Sequence, residues 1–283
     1  MIELLEDYIR NNWQSLHMPF VAPKRLSYFL LKGFRKTIFF IFKDNDLQPF
    51  VVLKATNDPI AFERLEREYE TLSYLSTQES IKSHVPIPLA FFEMMKHTCL
   101  LESALDGAPL VYSIKGIRSK KALKKMKNFF TLVVDFLVSL SHKQERVEND
   151  HSVRSVVEHG DFNPPNMFVS KHGIKIFDWE YSNMSGIPLN DLLDFSLKYV
   201  LFARYLDREV TREKPVLNDF EETFLSRKPH NNIIWEHISI YKEKMNISNP
   251  SMLDIFSNFS KKYLSESDAR DFCKDLDNVI YSL

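Results

Sequence analysis

The sequence predicts an α+β protein of two parts, a small antiparallel sheet with one helix over residues 1–104 and a larger, mainly helical part over residues 105–283. Three observations predict it. Strand-like apolar and aromatic runs crowd together between residues 27 and 56. A single helix-length pattern follows, from about Ala61 to Leu75. Near Leu105 the composition shifts, and long stretches at helical spacing replace the short strands.

The elements follow in order. "SYFLL" and "TIFFIF" flank Gly33, and "FVVLKA" comes after the turn "KDNDLQP". Beyond the helix, the prolines of "VPIPLAFF" end helical structure and start an extended segment. "TCLLESALDG" reads as a buried strand with a turn at Asp106–Gly107. In the second part, "FFTLVVDFLVSLSH" is an apolar helix and "MFVSKHGIKIF" a hairpin turning at His172–Gly173. Helical patterns resume at "DLLDFSLKYVLFARYL" and recur to the C-terminus. The stretch "KGIRSKKALKKMKN" carries seven positive charges. It reads as a solvated helix entry capped by Ser119, with contact to an anionic substrate or surface as the other reading.

Composition excludes several classes. A formal charge of −1 over 283 residues leaves no global footprint for nucleic acid. Cys99 and Cys273 lie far apart without a CxxC pair, so neither a disulfide framework nor a zinc site is expected, and a reducing cytoplasm is the simplest compartment. "MIELLEDYIRNNW" is unlike a signal peptide. No apolar run approaches the roughly 20 residues that span a bilayer, and "FLLKGFRKTIFFIF" is broken by Lys32, Arg35 and Lys36. No stable membrane insertion is expected. The oligomeric state is not set by the sequence.

Two places carry candidate chemistry. Glu68 shares a helix face with Leu65, Leu72 and Leu75, so a carboxylate there needs a partner to be buried. Lys54 ends the apolar run "FVVL". A strand lysine paired with a helix glutamate solves both problems; a half-exposed glutamate and a snorkelling lysine is the alternative. The second place is the loop "HGDFNPPNMFV", with Asp161 and Asn166 five positions apart around two prolines. Asp161 can accept a proton from a hydroxyl, and Asn166 can offer a carbonyl oxygen to a hard cation. The hairpin returns the chain to Asp178 in "IFDWE", an acid able to bridge a metal to phosphate. Singly, each acid reads first as a cap or turn residue; together, in this order, they point to the chemistry.

"HGDFNPPNMFV" followed by "IKIFDWE" resembles the catalytic and metal-binding segments of the aminoglycoside phosphotransferase and choline kinase family, over roughly residues 25–200. The resemblance implies a bilobal, protein-kinase-like fold and a small-molecule kinase using ATP and Mg²⁺. By the same resemblance Asp161 is the catalytic base, and Asn166 and Asp178 hold the metal. Lys54 neutralises phosphate charge and Glu68 fixes it. Gly33 lies in the phosphate-covering turn, the hinge backbone near Ser103 and Leu105 bonds the adenine, and Asp191 is structural. His159 is expected to orient the loop, Trp179 to pack, and Trp235, Tyr241 and Phe256 to form core or to cage a quaternary amine. The acceptor would be the hydroxyl of a sugar, an aminoglycoside or a choline- or ethanolamine-like amino alcohol. Departures are plain: Gly33 stands alone where protein kinases use several glycines, and "DWE" replaces "DFG". The sparse glycine leaves a nucleotide-binding pseudokinase, acting as regulator or scaffold, as the alternative.

Overall fold

The computed structural model describes residues 2–16, 23–33, 35–44, 46–148, 151–208 and 215–280. The chain forms two compact units, Met1–Gly107 with Lys175–Tyr181, and Ala108–Ile174 with Ser182–Leu283.

The first unit opens with α1 (Ile2–Asn11). Five antiparallel strands follow: β1 (Leu26–Lys32), β2 (Thr37–Lys43), β3 (Val51–Thr56), β4 (Pro88–Met94) and β5 (His97–Ser103), in the order β1-β2-β3-β5-β4. Between β3 and β4 runs α2 (Pro59–Leu75). Asp58 caps α2 by accepting the amides of Ile60 and Ala61 at 2.9 and 3.1 Å, and Pro59 sits in the first turn, where no intrahelical N–H is lost. Tyr69 of α2 stacks on Phe91 of β4 with centroids 5.2 Å apart. The expected single helix is α2, and α1 adds a second. Leu5 and Ile9, one helical turn apart, share a core with Trp13, Phe39, Ile41, Leu53 and Leu101. Acidic residues on the outer face of "IELLEDYIRN" hide that stripe in the sequence.

The second unit starts with the short strand β6 (Ala108–Pro109). Ser119 then caps α3 (Lys120–Ser139), its hydroxyl accepting from the amide of Ala122 at 3.1 Å. Lys120, Lys121, Lys124 and Lys127 are exposed, so the basic stretch is a solvated helix face. The helix expected to run to His142 stops at Ser139. The chain turns instead into a hairpin, β7 (Ser141–Glu148) and β8 (His151–Glu158). Charged residues interrupt the apolar alternation of that segment, so no strand pattern stands out.

The loop 159–166 follows, then β9 (Met167–Ser170), which pairs with β6, and β10 (Gly173–Ile176), along which the chain passes from one unit to the other. On return, β11 (Asn183–Gly186) joins the edge of β8. A Cβ on Gly186 would lie 2.2 Å from that of Glu158, so only glycine permits this approach. Among the described residues the unit is completed by α4 (Asn190–Leu206), α5 (Leu217–Phe220), α6 (Pro229–Met245), α7 (Asn249–Lys261) and α8 (Glu266–Ile280).

Aromatic packing fixes this unit's centre. Phe162, from the loop after β8, is fully buried and packs on Phe136 of α3 and Phe195 of α4, which pins the loop to two helices. Trp235 and Phe256 are buried against Phe224, the Trp235 indole N–H donates to the Phe224 carbonyl at 2.8 Å, and Tyr241 is buried. These three aromatics are core and form no amine cage.

Candidate active site

Within the first unit, residues far apart in sequence converge on one buried charge cluster. Lys54 is 4% exposed and its ammonium lies 2.5 Å from Glu68 Oε1, 3.2 Å from Glu102 Oε1 and 3.5 Å from Asp178 Oδ1. Strand register explains the meeting. Lys54 faces Leu100 across the β3–β5 pair, and Glu102, two residues on, emerges on the same face. Glu68 Oε1 also accepts the backbone amide of Trp179 at 2.9 Å, which holds the "DWE" segment on α2. Asp178 adopts a left-handed φ of 67°, a conformation that aspartate tolerates better than most residues.

A second lysine completes the cluster. Lys36, just after the Gly33 turn, lies 2.9 Å from Asp178 Oδ1 and 2.9 Å from Glu180 Oε2. Gly33 itself donates its amide to the Lys36 carbonyl at 2.9 Å. Burial alone pulls the Lys54 ammonium down, but Glu102, Glu68 and Asp178 override it and hold its pKa well above the ordinary lysine value. Burial pushes the Glu68 carboxyl up, and the Glu102 carboxyl up to about 7, with Lys54 opposing in both cases.

Within the second unit, the loop after β8 is built around Asp161. Gly160 takes a left-handed φ of 78°, which turns the chain between His159 and Asp161. The amides of His159 and Gly160 donate to the two carboxylate oxygens of Asp191 at 2.7 and 3.1 Å. Burial and the nearby Glu158 push the Asp191 carboxyl up to about 8, against those two hydrogen bonds. His159 Nδ1 accepts the amide of Asp161 at 3.2 Å, so this imidazole braces the loop.

The Asp161 carboxylate is fully engaged. Its Oδ1 accepts from Asn163 Nδ2 at 2.7 Å and from Lys198 at 2.7 Å, and its Oδ2 from Asn166 Nδ2 at 3.0 Å. Lys198 bridges onward to Asp194 at 3.0 Å, and the Tyr263 hydroxyl donates to Asp194. Burial disfavours the Asp161 anion, but Lys198 and then His159 and Asn163 outweigh it and keep its carboxyl below the usual range.

Lys54, Glu68 and Asp178 thus meet in the first unit, where Gly33, Ser103 and Leu105 also lie; Asp161 and Asn166 meet in the second. The Ser103 amide is taken by the Ile87 carbonyl at 2.8 Å and the Ala104 amide by the Phe50 carbonyl at 3.0 Å. Among the described residues Leu105 makes no such bond, so its backbone suits a base edge better than the Ser103 N–H does. Sequence reasoning missed Lys36, Glu102, Glu180, Asp194 and Lys198. Asp191, Asp194 and Lys198 are spaced three and four apart on one face of α4, a legible signal. Lys36 gave none.

The residues present fit a hard divalent cation held jointly with phosphate. In the first unit's cluster, the lysines Lys36 and Lys54 face four carboxylates, those of Glu68, Glu102, Asp178 and Glu180. Glu68 Oε2 and Glu102 Oε2 are buried without a hydrogen-bond partner among the described residues. Such an excess of acid is relieved by protons or by a cation. No three His, Cys, Asp or Glu side chains among the described residues form a metal site alone. Mg²⁺ commonly takes one or two protein ligands and completes its shell with phosphate and water. Asn166 spends its amide nitrogen on Asp161, which leaves its carbonyl oxygen as the donor to a cation.

An open cleft of about 610 Å³ between α7 and α8 is lined by Leu253, Asp254, Lys261, Arg270 and Asp277 among others. It includes neither Asp161 nor Lys198, and its charges balance, so the chemistry above lies elsewhere.

No protein-family model and no curated protein matches the chain. Among solved structures it is similar to APH(2")-IIIa in its GDP and kanamycin complex, at 14% identity and a TM-score of 0.37, over 83% of this chain and 98% of that one. No helix among the described residues is long and apolar enough to cross a membrane.

Proposed function

We propose that the chain is an ATP- and Mg²⁺-dependent phosphotransferase that moves the γ-phosphate to a hydroxyl of a small molecule. The observation that carries this reading is the convergence of buried Lys54 and Glu68 with half-buried Asp178, drawn from a strand, a helix and a loop, into one cluster. Ion pairs this buried contribute little net stability against an apolar replacement, so their retention calls for a chemical reason.

Phosphoryl transfer asks the protein mainly to position groups and neutralise charge. In this reading Lys54, fixed by Glu68, meets the α- and β-phosphates. Asn166 and Asp178 would hold Mg²⁺, which when bound neutralises phosphate charge and orients the γ-phosphoryl group. Leu105 offers its backbone to the adenine, and the Gly33 turn covers the phosphates. Asp161 orients the acceptor hydroxyl and takes its proton. Its lowered pKa makes it a weak base, which suits a loose transition state where proton removal comes late.

A pseudokinase reading is favoured by one observation: Asp178 Oδ1 already bears both Lys36 and Lys54. Thermal shift with ATP, with and without Mg²⁺, combined with ADP release over a panel of hydroxyl compounds, separates the two. A kinase binds Mg²⁺–ATP and releases ADP with an acceptor. A pseudokinase binds without turnover, and absence of both sinks both readings.

A further inference from the structure

The charges around Asp161 bear on the acceptor, and this step rests on the reading of Asp161 as the base. Lys198 is spent on Asp161 and Asp194. Asp194 also takes the Tyr263 hydroxyl, and Asp191 takes the amides of His159 and Gly160. Each of these three acids is therefore hydrogen-bonded within the unit, Asp161 and Asp194 by the Lys198 ammonium and Asp191 by backbone amides.

Lys262, the C-cap of α7, is different. Its ammonium lies 3.1 Å from the carbonyl oxygen of Gly160, the residue before Asp161, and 5.7 Å from the Tyr263 ring centre. Among the described residues it has no carboxylate within ion-pair distance. A lysine at a helix C-terminus is favourable for the helix alone, but that role does not require reaching a loop 102 positions away in sequence. A carbonyl and a ring face leave an ammonium most of its capacity for an anion, since it carries three donors. A cationic acceptor reaching this loop would meet the ammonium of Lys262 as a like charge; an anionic one would find it open.

We infer that the acceptor carries an oxyanion, a carboxylate or a phosphate, beside the hydroxyl it offers to Asp161, and that Lys262 pairs with it. Aminoglycosides and choline-like alcohols are then poor acceptors.

The test uses matched skeletons: gluconate, glucose and glucosamine, and glycerol phosphate, glycerol and 3-amino-1,2-propanediol. Calorimetric titration of the full chain measures binding to wild type, Lys262→Met and Lys262→Arg. The anionic member of each set should bind at least about ten-fold tighter than its neutral and amino partners, an electrostatic preference of the order one unscreened pair supplies. Lys262→Met should erase that preference and Lys262→Arg keep it. Amino members binding as well, a preference untouched by Lys262→Met, or no binding by any member overturns the inference. So does a loss confined to ATP affinity, which would assign Lys262 to a nucleotide phosphate. ADP release on the same panel reports separately on the phosphotransferase reading: anion-selective binding without turnover removes the kinase and leaves the oxyanion site.

Discussion

The ammonium of Lys36 lies 2.9 Å from Asp178 Oδ1, on the carboxylate that the proposed mechanism gives to Mg²⁺. A protein cation and a metal cation compete for one acid. Removing the lysine should favour the metal several-fold, since a unit charge at contact distance is worth about 1 kcal/mol even in water-like surroundings. Lys36→Met should therefore lower the Mg²⁺ concentration for half-maximal activity by about three- to ten-fold. A magnesium titration with ATP held saturating reads this directly; an unchanged or raised requirement would show that Lys36 does not compete.

Lys54 is the hub of its unit, and its loss strands buried acids. Removing one partner of a buried ion pair destabilises by about 3–5 kcal/mol. Lys54→Met should approach that loss at pH 8, where Glu68 and Glu102 are pressed to ionise. At pH 5 the loss should shrink, because Glu68 and Glu102, whose folded pKa values are already raised, take up protons instead. Urea unfolding of both proteins at the two pH values checks it, and an equal loss at both would contradict it.

Glu102 gives a cleaner sign. Its folded pKa is pushed up to about 7, against about 4.3 for an unfolded glutamate. Between those values the folded chain binds more protons than the unfolded one, so this group's contribution to stability falls as pH rises through the window. Glu102→Gln removes the titration. Relative to wild type, the variant should gain stability from pH 5 to pH 8, measured as the difference in unfolding free energy at fixed salt. A difference that stays flat or runs the other way would mean that Glu102 ionises normally.

Most of the scaffold was legible from side-chain pattern. The five strands of the first sheet and α2 follow apolar runs punctuated by Gly, Pro and Asp, and α4 starts within a residue of its pattern. α1 and the β7–β8 hairpin were not legible. The first carries its apolar stripe under charged neighbours, and the second is held by cross-strand pairing that a local reading does not see. The site divides in the same way. Asp161, Asn166 and Asp178 stand in a short recognisable spacing, whereas Lys36, Glu102 and Lys198 enter only because the sheet register and the α4 face bring them in.

Lys198 holds the Asp161 carboxyl below its usual pKa through an ion pair of 2.7 Å. With Lys198→Met that stabilisation of the anion disappears while burial continues to oppose it, so the Asp161 pKa should rise. The acid limb of the kcat/KM profile should move to higher pH, with Lys198→Arg moving it less. Profiles that superimpose would separate Lys198 from the base.

Transfer of labelled γ-phosphate is the most direct test of the central claim. Wild type and Asp161→Asn, both shown to be folded by circular dichroism, are incubated with γ-labelled ATP, Mg²⁺ and the hydroxyl panel, and the label is followed onto the acceptor. The expected result is transfer by wild type that needs Mg²⁺, and a loss of roughly 10²-fold or more in Asp161→Asn, the scale of a positioned acid–base group. Equal transfer by the two proteins, or none by either, would contradict the account.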